Sequence, residues 1–279
     1  MPGPFLFPSL SYSLPSHFFL SPSFLLGSIW YHSIMSEASE IPLTVRAADP
    51  ELRQQDVLSD AEHDRLAGMH EGARPAFVTA RTMLRAKLAD IMGLTPAAVP
   101  LCQVGAGRIS IEGFSADEPP FFSVSHTGAA EAGIAAVATS EHTPIGIDIQ
   151  QIDHVIDWRR VAERRFPAHE WQLMSAMPEE EGRMLFFTLW AIKEACVKLE
   201  DGALMPYLRG VEIDLANGRF DLLTPTPGGL SNIHVFFNYV PEFELVLACV
   251  SRDAATVQLD CVIEPPAPKA DSLNNPGTD

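Results

Sequence analysis

The sequence predicts an α+β protein built as a pseudo-two-fold pair of similar subdomains. Three observations carry that expectation. Helical periodicity and strand-like alternation occupy separate blocks, each half of the chain runs helix first and strands after, and the halves meet at a short link near Pro144. With 279 residues, 47% hydrophobic and 20% charged, the chain can bury a sizeable core and is neither disordered nor fibrous. The expected organisation is a disordered extension or mis-assigned start over 1–35, an N-terminal subdomain over 36–144, a C-terminal subdomain over 145–262 and a disordered tail over 263–279.

The elements follow in order. From Ser59 to Gly93 the pattern is helical. Ser59 with Glu62 three residues later reads as a capping box, and Phe77, Ala80, Leu84, Leu88 and Ile91 repeat along a second helix that stops at Gly93. Between Pro100 and Ser140 the runs "PLCQVG", "RISIEGF", "PFFSVSH" and "AGIAAVATS" read as strands and hairpins, and "PIGIDIQ" is a strand of nearly strict alternation. Then "DWRRVAERRFPAHEWQLMSAM" is helical in two pieces broken at Pro167, and Glu179 to Leu199 is one long helix ending at Asp201 and Gly202. A hairpin signal at Asn217 and Gly218 precedes the strands "IHVFFNYV" and "FELVLACVS".

Composition excludes several function classes. A formal net charge of −17 removes a broad basic footprint for nucleic acid or an anionic membrane, so any anionic ligand must meet a local cluster of Lys, Arg and His. The four cysteines lie far apart without metal-ligand spacing and read as reduced core residues of a cytoplasmic protein. The first 35 residues lack Lys, Arg, Asp and Glu and are crowded with Pro, Ser and Phe. They match neither a secretory signal nor a transit peptide, and their prolines break any spanning helix. Met35 opens an ordinary polar start, "MSEASEIPL", and the far end, "EPPAPKADSLNNPGTD", has the composition of a disordered tail.

Three stretches carry chemistry. Along the helix that carries "LWAIKEACVKL" the residues Leu185, Leu189, Ile192, Cys196 and Leu199 form a core stripe, while Trp190, Lys193, Glu194, Val197 and Lys198 fan over the adjoining face. Taken alone, that face reads as a solvated surface with a Glu194 to Lys198 pair. In "PIGIDIQ" the isoleucines point one way and Gly146, Asp148 and Gln150 the other. Asp148 then marks either the solvent face of an edge strand or, with Glu194, the one or two carboxylates that Mg²⁺ takes beside ligand phosphates. In "FFSVSHTG" the residues Ser123, Ser125 and His126 either cap a turn or present polar groups to an anion. The stretch lacks a nucleophile elbow's spacing, and "GAGRIS" fails the dinucleotide fingerprint.

The ordered set "SVSHTG", "IGIDIQ", "RRFPAHEW" and "FTLWAIKEACVKLEDGAL" resembles the phosphopantetheinyl transferases of the surfactin-synthetase-activating type, over roughly Asp56 to Leu204 and more loosely to Val250. The resemblance implies that family's fold and a Mg²⁺-dependent transfer of the 4'-phosphopantetheine arm of coenzyme A to a serine of an acyl or peptidyl carrier protein, releasing adenosine 3',5'-bisphosphate. It implies Asp148 and Glu194 as Mg²⁺ ligands, Glu194 also as the base for the carrier serine, and Lys198 near the pyrophosphate with Lys193 lining the same face. It places Ser125 and His126 at the 3'-phosphate, Arg65 and Arg108 at further nucleotide contacts, and Glu170 and Trp190 in secondary positions. Gln150 stands where many members carry a second acid. It offers a carbonyl oxygen or holds a water on Mg²⁺, and weaker metal affinity is expected. The resemblance also implies a monomer, since one chain holds both halves, with the site in the cleft between them. Carrier docking would fall to a local basic cluster, Arg159, Arg160, Arg164 and Arg165 or Arg81, Arg85 and Lys87. Gln150 keeps open a silent homologue that binds coenzyme A or a carrier, and the Asp148, Glu194 and Lys198 set also suits another Mg²⁺-dependent phosphate-ester enzyme.

Overall fold

A computed structural model describes residues 39–52, 55–104, 108–115, 117–127, 133–152, 155–214, 220–253 and 255–262. The first element among the described residues is β1 (Ser39–Ala47), which the sequence pattern does not single out. Helix α1 (Asp60–Ala67) starts on the expected Ser59 and Glu62 capping box, and α2 (Arg74–Met92) stops at Gly93, whose φ of 67° is the left-handed conformation that glycine adopts without strain. Strands β2 (Leu101–Val104), β3 (Arg108–Ile111), β4 (Phe121–Thr127), β5 (Ile134–Ser140) and β6 (Ile145–Gln151) follow. Pro167 separates α3 (Trp158–Arg165) from α4 (Ala168–Ala176), as its missing N–H requires.

Helix α5 (Glu179–Glu200) ends with Asp201 in the left-handed region, and the short α6 (Leu204–Gly210) comes next. The expected Asn217 and Gly218 turn lies outside the described residues, between the two-residue strands β7 (Ile213–Asp214) and β8 (Asp221–Leu222). The last strands among the described residues are β9 (His234–Val240), β10 (Leu245–Ser251) and β11 (Ala255–Val262).

The fold is α+β. One sheet has the order β11-β1-β5-β4, with β11 parallel to β1, and a second, antiparallel sheet has the order β6-β10-β9. Helix α2 covers the outer face of the first sheet, where Ala80, Leu84 and Leu88 meet Ala135 and Val137. Helix α5 does the same for the second, where Leu189, Ile192 and Cys196 meet Val246, Ala248 and Val250. Between the sheets, Ile41, Leu43, Val45 and Ala136 pack against Ile145, Ile147, Ile149 and Leu247. Each helix-on-sheet unit thus buries one face on its own helix and the other on its counterpart. The split does not fall at one point in the chain, since β11 returns to pair with β1. Among the described residues no helix is long and apolar enough to cross a membrane.

Where β4 meets β6 the sheets are joined by side chains. The Ile147 N–H donates to Ser123 Oγ at 2.9 Å and the Ile149 N–H to Ser125 Oγ at 3.3 Å, so the free edge of β6 is satisfied by serine hydroxyls. On the face of β6 away from the isoleucines, α5 lies directly on the strand. A Cβ built on Gly146 would sit 2.0 Å from the Ala195 carbonyl oxygen, so only glycine fits there.

Candidate active site

The close approach of α5 to β6 sets the position of Asp148. Two residues beyond Gly146 on the same face, its carboxylate is 2% exposed and cannot rely on water, so it must find donors. Oδ1 accepts from Lys198 Nζ at 2.8 Å and from Ser125 Oγ at 2.8 Å, and Oδ2 accepts from Gln150 Nε2 at 2.6 Å. The reading of Asp148 as a solvent-facing edge residue is therefore wrong, because α5 and β4 enclose that face. One turn before Lys198 on α5, the half-buried Glu194 accepts from the Trp190 indole N–H at 2.8 Å. Burial pushes the Glu194 carboxyl above its ordinary value, and the negative charge of Asp148 adds to that push; Trp190 and Lys198 offset part of it.

Asp148, Glu194 and Lys198 thus form one electrostatic unit. Two carboxylates that disfavour each other's charge suit a hard divalent cation, which relieves their repulsion. Among the described residues no group of three or more His, Cys, Asp and Glu gathers anywhere, so a cation here would complete its shell with ligand oxygens and water.

His126 stands at the exposed end of β4. Displacement of surrounding water holds its imidazole below the ordinary value, and the positive charges of Lys198, Arg81 and Arg65 push the same way, against Asp148. Arg65 and Arg81 flank one aromatic ring, with their guanidinium carbons 5.6 and 4.9 Å from the centre of Phe77. Arg81 is pulled down to about 10 by burial and stays charged at neutral pH; its Nε lies 3.2 Å from Glu62. The sequence reading placed Arg81 only in a docking cluster. Its spacing of four residues from Phe77 on a helix was the signal that could have put it beside Arg65.

Arg108 pairs with Asp201 at 2.8 Å, on the rim of a cleft of about 470 Å³ that also meets Phe121, Phe122, Val197 and Lys198.

Several expectations need correction. Lys193 does not line the site. It is fully buried and donates to Glu170 Oε2 at 2.7 Å, to the Val211 carbonyl at 2.7 Å and to the Leu208 carbonyl at 3.2 Å. The physical reason is that α4 and α6 cover the flank of α5 that a helical wheel alone leaves next to Glu194. Glu170 is buried as well, and it also accepts from the Ile213 N–H at 2.9 Å. Burial raises the Glu170 carboxyl and lowers the Lys193 amine, and their pairing opposes both shifts.

The Ser125 hydroxyl is engaged by Asp148 and Ile149 and has no proton left for an anion. Gln150 turns its amide nitrogen to Asp148. The Arg81, Arg85 and Lys87 cluster is not a free face: Arg85 is buried, with Nη2 2.7 Å from Glu62, and burial lowers the Lys87 amine. On α3, Arg159 pairs with Glu179, whereas Arg160, Arg164 and Arg165 are exposed. All four cysteines are free thiols, and burial pushes Cys196 and Cys249 up to about 12.

The β6 to β9 span that supplies Asp148, Glu194 and Lys198 also stands out in comparison with known proteins. Residues 144–242 match the model of the 4'-phosphopantetheinyl transferase superfamily. Stretches of the chain are similar to 4'-phosphopantetheinyl transferases. It is 28% identical over 153 residues to the 4'-phosphopantetheinyl transferase HetI of Nostoc sp. strain PCC 7120, covering 53% of this chain and 63% of that protein. It is 37% identical over 74 residues to the transferase psf-1 of Bacillus pumilus, covering 26% and 31%. It is 32% identical over 116 residues to the transferase AcpT of Salmonella typhimurium, covering 42% and 58%. The chain therefore spans 63% or less of the length of these transferases.

Proposed function

We propose that this protein transfers the 4'-phosphopantetheine arm of coenzyme A to a serine hydroxyl of an acyl or peptidyl carrier protein. The observation that carries the reading is the joining of the buried Asp148 with the half-buried Glu194 and Lys198 into one charge cluster beside the basic group of His126, Arg65 and Arg81. In the reaction, the serine oxygen bonds to the phosphorus that carries the pantetheine arm, and the bond from that phosphorus to the bridging oxygen of the pyrophosphate breaks. The leaving group is adenosine 3',5'-bisphosphate.

Asp148 and Glu194 would hold a Mg²⁺ ion, which when bound supplies charge neutralisation at the pyrophosphate, and Gln150 supports that site through Asp148. Glu194 takes the serine proton, directly or through a water. Lys198, fixed by Asp148, places its ammonium where negative charge gathers on the leaving phosphate. His126, with Arg65 and Arg81, meets the 3'-phosphate.

The same reading includes a monomer in a reducing, cytoplasmic compartment, in keeping with four free thiols. The carrier docks on α3 at Arg160, Arg164 and Arg165. The deciding experiment is the intact mass of an apo carrier protein after incubation with the protein, coenzyme A and Mg²⁺. A gain of one phosphopantetheine that disappears with Glu194→Ala is expected. Absence of any gain across several carrier classes, with coenzyme A still bound, favours a silent coenzyme A-binding relative.

A further inference from the structure

Ser125 differs from its strand neighbour in one respect. Ser123 and Ser125 lie on the same face of β4 and each accepts one backbone N–H from the edge of β6, from Ile147 and Ile149 respectively. Only Ser125 goes on to donate its proton to the Asp148 carboxylate, at 2.8 Å. Asp148 Oδ1 then holds two donors, Ser125 and Lys198, which fill its lone-pair capacity, and the remaining capacity of the carboxylate lies on Oδ2 beside Gln150. The donor and its acceptor belong to different sheets.

We infer that Ser125 is a positioning residue: it fixes the Asp148 carboxylate from across the seam, so that a divalent cation meets a preset oxygen only when the two sheets are docked. The inference rests on the reading of Asp148 and Glu194 as cation ligands. Hydrogen bonds to a ligating carboxylate restrict its rotation and set which oxygen is free, and their loss weakens metal binding even though the ligand itself remains. Without the Ser125 hydroxyl, Asp148 keeps Lys198 and Gln150, both long flexible side chains, and loses the short donor that is anchored in a strand.

The test is a titration of the full chain with Mn²⁺, followed by the electron paramagnetic resonance signal of free Mn²⁺, in the absence of coenzyme A. Wild type is compared with Ser125→Ala, Ser125→Thr, Ser123→Ala and Asp148→Ala. Both serine-to-alanine variants leave one β6 N–H without its hydroxyl, so their melting temperatures should fall together. Only Ser125→Ala should weaken Mn²⁺ binding, by roughly 10- to 100-fold, and the Thr variant, which keeps a hydroxyl, should recover most of that loss. Ser125→Ala binding Mn²⁺ like wild type, or Ser123→Ala weakening it as much, overturns the inference. So does a Thr variant as weak as Ala at wild-type melting temperature. Wild-type binding that Asp148→Ala leaves unchanged overturns the cation reading itself, and this inference with it.

Discussion

Lys198 acts on opposite kinds of group at Asp148 and His126. Its ammonium donates to the Asp148 carboxylate and also bears on His126, where it joins Arg81 and Arg65 in adding to desolvation that favours neutral imidazole. A bound phosphate dianion reverses that balance and draws a proton onto the ring. Coenzyme A binding should therefore take up protons, and its affinity should fall as pH rises through the range between the lowered free value and the higher bound one. Isothermal titration in buffers of different ionisation heat measures the uptake. His126→Ala should abolish it and weaken coenzyme A by about 2 kcal/mol, while leaving the analogue without a 3'-phosphate nearly unaffected. Equal weakening of both ligands would place His126 elsewhere. Asp148, Glu194 and Lys198 were legible in the sequence because strand alternation and one helical turn put them on facing surfaces. Lys193 and Ser125 were not, since a wheel cannot show that α4 and α6 cover one flank of α5, nor a motif that a hydroxyl is already engaged.

Helix α5 is held to its neighbours by a buried ion pair as well as by apolar packing. Lys193 has three acceptors and Glu170 has two donors, which ties α4 to α5 and to the chain entering β7. Replacing one member leaves the other buried and unpaired, so Glu170→Leu should cost about 3–5 kcal/mol in urea unfolding. Glu170→Leu combined with Lys193→Met should recover much of that, short of the full amount because the Val211 carbonyl and the Ile213 N–H lose their partners. A double variant no more stable than the single one would mean that the pair is needed for packing beyond its charges. Strand β1 escaped the sequence reading for a related reason: Pro42 argues against a central strand. The register shows how it is tolerated. Pairing with β5 begins only at Leu43, so at Pro42 the strand has β11 alone beside it.

Across the whole molecule, acidity and docking have to be reconciled. With a net charge of −17, this chain cannot attract an acidic carrier globally, and the exposed arginines of α3 give it a local exception. Arg164→Glu with Arg165→Glu should raise the KM for the carrier several-fold and leave that for coenzyme A unchanged; a shift in both would assign the arginines to the nucleotide. The larger question is whether the halves behave as units. The repeat of helix and strands in each half was readable from periodicity, whereas the return of β11 to the first sheet was not, because strand pairing over such a separation leaves no local signal. The isoleucines of β6 pack against Ile41, Leu43 and Val45 of β1, so each sheet completes the other's core, and removing either would expose a buried apolar face. Unfolding should then be one cooperative transition. Ile147→Ala, a fully buried change at the centre of that shared core, should lower stability by about 2–5 kcal/mol and shift the whole transition. Scanning calorimetry is the check: two resolved transitions, only one of them moved by Ile147→Ala, would show that each sheet is stabilised by its own helix and that the site forms between independent halves.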